Sequence, residues 1–304
     1  MPTQEKTEPH TASGAQDKTA VRDRGAKSPQ GRPWALKALP PFPAVALQLL
    51  SLLDDDEAPM KKVTDLLRID PALSAEILRV ANSALYGLSR RIDNVSHAIV
   101  VLGTDTVKRL ALTVALGRFS QSFLHNQTLR VCWDHSVACA VVAEELALMI
   151  DQPRDRAYTA GLLHDVGRLA LLACYPNEYG NLLEVARENQ FDELECERQL
   201  FDIDHCQAGE WLAQSWNLPS EFVEAIAHHH TAEIKDQSLL SIVTAANAIA
   251  DVIGFNVLPM PAAATVEELI SGLPIDNTEE AAKKITALVD RIKTTVGAVS
   301  PSSS

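Results

Sequence analysis

A histidine and an aspartate stand side by side in the apolar segment YTAGLLHDVGRLALL, residues 158–172, and helix packing requires neither of them. His164 offers an imidazole nitrogen and Asp165 a carboxylate. Both groups are common ligands of divalent transition metals. Because adjacent residues on a helix point about 100° apart, both side chains reach one ion only if it lies beside the helix. The pair therefore predicts a metal site or the remnant of one.

Further histidines are concentrated in the same part of the chain, where seven of the nine lie from residue 125 onward. Each alone has a simpler explanation, since a histidine near a helix C-terminus is favoured by the helix dipole. Imidazoles and one carboxylate on four separate helices are together the components of a site inside a helical bundle. The candidates are His135 in CWDHSVACA, His205 in DIDHCQAGEWL, the run 228–230 in AIAHHHTAE and Asn247 in IVTAANAIAD.

The segments that carry these side chains have the sequence patterns of helices. IDPALSAEILRVANSALYG places Asp70 at an N-cap, Pro71 at the first helical position and Gly87 as a stop. HSVACAVVAEELALMI and SIVTAANAIADVIG are apolar on nearly all sides, as expected for helices central to a bundle. The sequence has no run of strand-then-helix units. We therefore predict an all-α, multi-helix bundle.

Changes in composition divide the chain into four segments. Residues 1–32 are polar and charged, and we expect a disordered tail because they offer little apolar area to bury. A change near 125–132 separates two helical lobes, 33–128 and 129–256, and residues 257–304 are predicted to form a loop, a helix and a second tail. The five cysteines all fall in the second lobe, and we expect buried free thiols in a reducing compartment.

Charge and hydropathy argue against two classes of partner. The formal net charge is −13, and the sequence has neither an uninterrupted apolar run of about 18 residues nor the apolar segment of a signal peptide. Affinity for nucleic acid or anionic lipid comes from Lys and Arg that neutralise phosphates, which an acidic body opposes. We therefore expect a cytoplasmic protein that binds neither nucleic acid nor membrane.

Five segments together resemble a known domain family. They are LPPFPAVALQLLSLL, IDPALSAEILRVANSALYG, HAIVVLGTDTVKRLAL, AGLLHDVGRLAL and DHCQAGEWLAQSWNLPSEFVEAIAHHH. Over residues 36–255 the chain resembles the HDOD domain, a relative of the HD superfamily of metal-dependent phosphohydrolases. The motif D-P-x-L-x-x-x-(I/L)-L-x-x-A-N-S-A is specific to HDOD domains and absent from the catalytic HD and HD-GYP enzymes. The resemblance implies an N-terminal HDOD-specific helical lobe followed by a C-terminal HD-like helical lobe.

The resemblance to HD enzymes also implies a set of metal ligands. His135 matches their first histidine ligand. His164 and Asp165 match the HD pair, whose aspartate bridges two metals in the dinuclear enzymes. His205 matches the histidine on the following helix. The implied cofactor is a divalent metal, with Fe, Mn, Zn and Mg all open.

The end of the ligand set departs from the enzymes. His229 and His230 match their HH pair, but their final aspartate ligand aligns with Asn247. A neutral amide coordinates more weakly than a carboxylate and removes one negative charge, which weighs against a tight dinuclear site. Asp251, one helical turn later, compensates only if its side chain points inward.

The phosphate-facing positions differ as well. HD enzymes commonly follow the pair with x-G-K, whereas this chain has HDVGR, with Arg168 in place of the lysine. Arginine binds phosphate bidentately, so Arg168 is a candidate phosphate-binding residue. The G-Y-P loop of the cyclic di-GMP phosphodiesterases is absent, because His230 is followed by TAEIKDQSLLS.

Three functions are open at this point. The resemblance to HDOD output domains implies a non-enzymatic bacterial signalling module, without catalytic residues, that contacts other signalling proteins in trans, with NSALYGLSRRIDNV as one candidate surface. The alternative is a metal-dependent phosphohydrolase acting on a nucleotide or phosphodiester, in which a metal generates hydroxide from bound water. Between them lies a structural or sensory metal without turnover. We predict the signalling module.

Overall fold

The regular secondary structure is helical throughout the described part of the chain. The computed structural model describes residues 32–52, 60–121, 127–258 and 264–299, and no strand occurs in these ranges. The all-α prediction is therefore confirmed. Both predicted tails fall largely outside the described residues, and their disorder stays a prediction.

The helix predicted from Asp70 and Pro71 begins where the sequence places it. The Asp70 carboxylate accepts a hydrogen bond from the Leu73 N–H, and Pro71 is the first helical residue. The Asn94 side chain accepts from the His97 N–H in the same way. After a 3-10 turn at Trp34–Leu36, the helices are α1 (Ala44–Leu50), α2 (Met60–Arg68), α3 (Pro71–Ala81), α4 (Val95–Leu102) and α5 (Thr104–Gln121).

The remaining helices include one long helix, α6, against which several others pack. It packs against α7, α13 and α16, while α11 packs against α8 and α12. A π-helical turn at Asp251–Phe255 follows α13. The bounds are α6 (Gln127–Met149), α7 (Arg154–Leu163), α8 (Val166–Cys174), α9 (Pro176–Asn189), α10 (Glu193–Phe201), α11 (His205–Ser215), α12 (Ser220–His228), α13 (Leu239–Ala250), α14 (Val266–Ile270), α15 (Thr278–Thr286) and α16 (Val289–Val299).

Glycine sets how closely two helix pairs approach. A Cβ added to Gly161 on α7 would lie 2.9 Å from the Cα of Ala140 on α6. A Cβ on Gly167 in α8 would lie 2.0 Å from the carbonyl oxygen of His205 and 2.4 Å from the nitrogen of Gly209, both on α11. Real side chains do not tolerate such distances, so α8 and α11 meet backbone to backbone. This contact places the start of α11 beside the start of α8.

A buried glutamate joins four helices. Glu144 on α6 has a side chain only 4% exposed, and it pairs with Arg109 on α5. It also accepts from Arg154 of α7 at 3.0 Å and from Arg291 of α16 at 2.8 Å. Because a buried carboxylate is costly unless paired, this cluster fixes α16 against the centre of the bundle.

The described residues from Arg32 onward form one compact unit. Within it α5, from the predicted first lobe, packs against α7 and α16. The lobe boundary near residue 128 stays a prediction. Among the described helices, none combines the length and the apolar character needed to cross a bilayer.

Candidate metal centre

The residues with predicted metal-binding roles meet in one place, which we call the histidine cluster. Its side chains are buried except for His230, which faces solvent. Neighbouring imidazole rings have centroids between 4.4 and 5.5 Å apart. The cluster consists of His135 of α6, His164 at the end of α7, Asp165 at the start of α8, His205 of α11, His229 and His230 at the end of α12, and Asn247 of α13.

Backbone carbonyls fix the direction of three imidazole rings. His164 and His229 each place Nδ1 on the carbonyl three residues earlier, at 2.7 and 2.9 Å. His135 places Nδ1 on the Phe255 carbonyl at 2.8 Å. Because a carbonyl only accepts, each Nδ1 carries the hydrogen, and in the neutral ring Nε2 keeps its lone pair. All three Nε2 atoms point into the cluster.

His205 is oriented by a buried carboxylate instead. Its Nδ1 lies 2.9 and 2.8 Å from the two carboxylate oxygens of Glu197, which also accepts the His205 backbone N–H at 2.7 Å. The Tyr179 hydroxyl donates to the same carboxylate. Metal-binding histidines commonly donate their second N–H to a carboxylate, which fixes the ring and raises its basicity. Glu197 was not predicted from the sequence.

We expect Glu197→Gln to weaken divalent-metal binding by about 10–100-fold. Glutamine keeps the size of the side chain and accepts from Nδ1, but it lacks the charge that raises the basicity of His205. The matched control is Glu195→Gln on the same helix, where Glu195 is exposed and pairs with Arg198. Isothermal titration calorimetry measures both dissociation constants. Equal losses in the two variants would contradict the role given to Glu197.

Two buried acceptor atoms test whether the cluster fits a cation. His164 Nε2 and Asp165 Oδ1 find no hydrogen-bond partner among the described residues, and we call them the open atoms. Leaving such an atom unsatisfied costs about 1–3 kcal/mol. Asp165 Oδ1 also lies 3.4 Å from His205 Nε2 and 3.5 Å from His229 Nε2. Ligands about 2.0–2.2 Å from a common ion lie about 3.0–3.5 Å from one another, so these residues fit a divalent cation.

Asn247 lies on the inner side of His135. Its Oδ1 is 2.9 Å from His135 Nε2, so the amide either shares a cation with the ring or presents its NH₂ to it. The Asp251 carboxylate lies 3.4 Å from the Nδ1 of His135, on the ring edge away from Nε2. Asp251 therefore does not take the place of the missing carboxylate at Asn247.

The protonation states of the HD pair suit a metal site. Burial lowers the pKa of His164 to about 3, so the imidazole is neutral. Burial opposes ionisation of Asp165, but the Arg168 guanidinium and His205 hold the pKa of that carboxyl well below its usual range. The pair thus offers a neutral imidazole and an ionised carboxylate.

Arg168 is almost fully buried and bound to two acids. Its Nε donates to Asp165 Oδ2 at 2.7 Å, and its Nη1 pairs with Glu193. Its Nη2 lies 3.4 Å from His205 Nε2. The structure thus gives this candidate phosphate-binding residue two acidic partners that the sequence did not predict.

A thiol also borders the cluster. The five cysteines are free, and Cys206 is buried with its Sγ 4.0 Å from His229 Nε2. Burial raises the pKa of the Cys206 thiol, but His205 and His229 outweigh burial and lower it to about 7. Asp165 and Cys206 in turn overcome burial and raise the pKa of His229 to about 9, so a cation competes with a proton at this ring.

A cavity of about 750 Å³ opens onto the cluster. His135, Arg168, His230 and Asn247 line it, with Phe191 also on its wall. His230 places Nε2 3.1 Å from Nε2 of His205 and so connects the buried ligands to the cavity. A small molecule in this cavity would reach the cluster directly.

Comparison with known proteins identifies the family. The HDOD domain matches residues 39–232, which is more than half of the chain. This chain belongs to the HDOD family. An uncharacterized protein of Treponema pallidum (strain Nichols) is 28% identical to it over 218 residues, which cover 69% of this chain and 41% of that protein. The chain thus spans less than half the length of this relative.

Two solved structures share the fold. An HDOD domain protein with unknown function from Geobacter sulfurreducens superposes with a TM-score of 0.71 at 24% identity, covering 86% of this chain and 92% of that one. A protein from Marinobacter aquaeolei VT8, provisionally named a signal transduction protein, superposes with a TM-score of 0.70 at 25% identity. The match covers 86% of this chain and 60% of that one. The predicted HDOD membership is confirmed.

Proposed function

We propose that this HDOD protein is a non-enzymatic bacterial signalling module that holds one divalent cation in the histidine cluster and acts through contacts with other signalling proteins. The observation that carries the proposal is the difference between the surroundings of the two Asp165 carboxylate oxygens. Oδ1 is an open atom that faces the histidines, whereas Oδ2 accepts from Arg168 at 2.7 Å.

The different surroundings of the two Asp165 oxygens support one ion rather than two. Two-metal hydrolases hold their ions about 3.5–4 Å apart and clamp both the attacking and the leaving oxygen. A carboxylate that bridges two ions with one oxygen on each needs both oxygens free. Here the guanidinium of Arg168, itself held by Glu193, lies on one of them. Asn247 adds no negative charge with which to recruit a second ion.

A single cation would mainly join helices. When bound, it lowers the pKa of any coordinated water and turns its binding free energy into folding free energy. The residues of the histidine cluster would hold it, with Glu197 orienting His205 and backbone carbonyls orienting His135, His164 and His229. This arrangement suits a structural or sensory ion that stabilises one conformation of a signalling domain.

The contact surface remains the one suggested by the sequence, the connection between α3 and α4. Arg90 and Arg91 are exposed there, and Tyr86 is half-buried. Tyr86 lines a small pocket together with Arg109 and Glu144 of the buried ion-pair cluster. The Marinobacter aquaeolei relative is provisionally named a signal transduction protein, which supports a signalling protein as the partner.

The cavity of about 750 Å³ favours the second candidate, a phosphohydrolase acting on a nucleotide or phosphodiester. It is large enough for a small ligand and reaches Arg168 and the candidate metal ligands. In this alternative, Arg168 would have to exchange an acidic partner for phosphate.

We expect no turnover of cyclic dinucleotides or nucleoside phosphates above background by the wild type in the presence of Mn²⁺, Fe²⁺ or Zn²⁺. The matched variant is Asn247→Asp, which restores a carboxylate at the last ligand position. Wild-type turnover that His164→Ala abolishes would contradict the proposal. Turnover confined to Asn247→Asp would show that this one carboxylate separates the protein from hydrolytic relatives.

A further inference from the structure

We propose that Cys206 is a thiolate ligand of the cation in the histidine cluster, and that the site therefore selects zinc-like divalent metals. The inference rests on the proposed function only in requiring a cation. It goes further by adding a ligand that the HD resemblance does not include and by choosing among the metals that the sequence left open.

The distances around Cys206 fit a cation shared with its neighbours. Ligand atoms of Cys206, His205, His229 and His230 all lie within 4.8 Å of one another. The Cys206 Sγ is 4.0 Å from His229 Nε2. Zinc bonds of about 2.3 Å to sulfur and 2.0–2.1 Å to nitrogen separate the two ligand atoms by about 3.6 Å. A movement of about 0.4 Å therefore brings both onto one ion.

The surroundings of His229 also point to a cation. Its Nε2 lies 4.0 Å from the Cys206 sulfur and 3.5 Å from the open atom of Asp165. A thiol as distant as 4.0 Å makes only a weak hydrogen bond, and an ionised oxygen at 3.5 Å lies beyond ordinary hydrogen-bond length. A cation would provide His229 with a stronger interaction than either neighbour does.

The position of Cys206 in α11 brings its sulfur to the histidine cluster. It is the second residue of this eleven-residue helix, directly after His205, and only 6% exposed. Cys132 and Cys139, by contrast, are buried on α6.

A thiolate ligand changes which metal the site prefers. Sulfur ligands favour Zn²⁺ and comparable ions, whereas sites made only of oxygen ligands suit Mg²⁺ and Mn²⁺. Of the four metals that the sequence left open, the inference thus favours zinc. Co²⁺ serves as a spectroscopic substitute because it accepts the same ligands and its thiolate bonds absorb in the near ultraviolet.

The test is titration of the full chain with Co²⁺ and Zn²⁺. We expect the wild type to develop a sulfur-to-cobalt charge-transfer band, which added Zn²⁺ removes. Cys206→Ser should lose this band and bind Zn²⁺ about 100-fold more weakly. The matched control is Cys174→Ser, which changes a half-buried thiol at the end of α8 and should leave both readouts unchanged.

A second measurement covers the case in which Cys206→Ser fails to fold. Zn²⁺ at about 100 times its Kd should slow alkylation of Cys206 in the wild type by about 100-fold, with reversal by a chelator and no change at Cys174. Equal alkylation rates with and without Zn²⁺ would overturn the inference. Co²⁺ uptake without a thiolate band would also overturn the inference, but it would leave the proposed metal site intact. Failure of the wild type to take up any divalent metal would overturn both proposals.

Discussion

The wild-type protein should gain about 5–10 °C in Tm when a divalent cation that it binds is present at 100 times its Kd, and His164→Ala should lose this gain. Binding only to the folded state at that excess contributes about 2.7 kcal/mol. Each kcal/mol shifts the Tm of a domain of this size by about 2–4 °C. His164 is an informative position because its Nε2 is one of the open atoms, so truncation removes a ligand without leaving a new buried charge.

The matched control is His228→Ala. His228 belongs to the same run of histidines as His229, but it is exposed and outside the cluster. Differential scanning fluorimetry with Zn²⁺, Mn²⁺ and Fe²⁺, together with elemental analysis, measures stability and metal content in parallel. The same Tm gain in His164→Ala as in the wild type would contradict the site.

Gly167→Ala should lower the free energy of unfolding by about 3 kcal/mol and weaken metal binding as well. The new Cβ would lie 2.0 Å from the His205 carbonyl oxygen and 2.4 Å from the Gly209 nitrogen. Both are backbone atoms, so no rotamer change relieves the overlap, and α11 must move as a unit. Overpacking of this kind costs about 1–3 kcal/mol, and a contact between backbones lies at the upper end. The same movement carries His205 away from Asp165.

Gly297→Ala provides the control in another helix. No described atom lies within 4 Å of the Cβ that this change adds to α16. Alanine in a helix interior is favoured over glycine, so we expect a gain of about 0.5–1 kcal/mol. Urea denaturation measures both variants. A Gly167→Ala protein as stable as the wild type would show that α8 and α11 separate without cost.

The convergence of the candidate ligands could be predicted because their residue types stand out from their surroundings. His164 and Asp165 interrupt an apolar run, and His135 does so within a helix that is otherwise apolar. The helices could be predicted for the same reason, since their caps and apolar periodicity are local properties. Asp70 shows this directly, because the cap predicted from the sequence makes its hydrogen bond at 2.9 Å.

The partners of the ligands could not be predicted, because tertiary packing alone selects them. Helix α10 carries Glu193, Glu195 and Glu197 at alternate positions. Only Glu197 is fully buried, where it holds His205, while Glu193 reaches Arg168. No sequence signal separates these three acids. The pairing of Arg168 with Asp165 was missed for a related reason, since an arginine three residues after an aspartate is also common on solvated helix faces.

The wide separation of the ligands along the chain has a consequence for the order of folding. His135 and Asn247 meet across 112 residues, and the elements between them supply the other ligands. A chain still emerging from the ribosome has only part of this set until α13 is synthesised and docked. Contacts of such high sequence separation form late because loop-closure entropy must first be overcome. Loading of the proposed cation should therefore be complete only after α13 has been synthesised and has docked, and the loaded fraction would then report the molecules whose second half has finished folding.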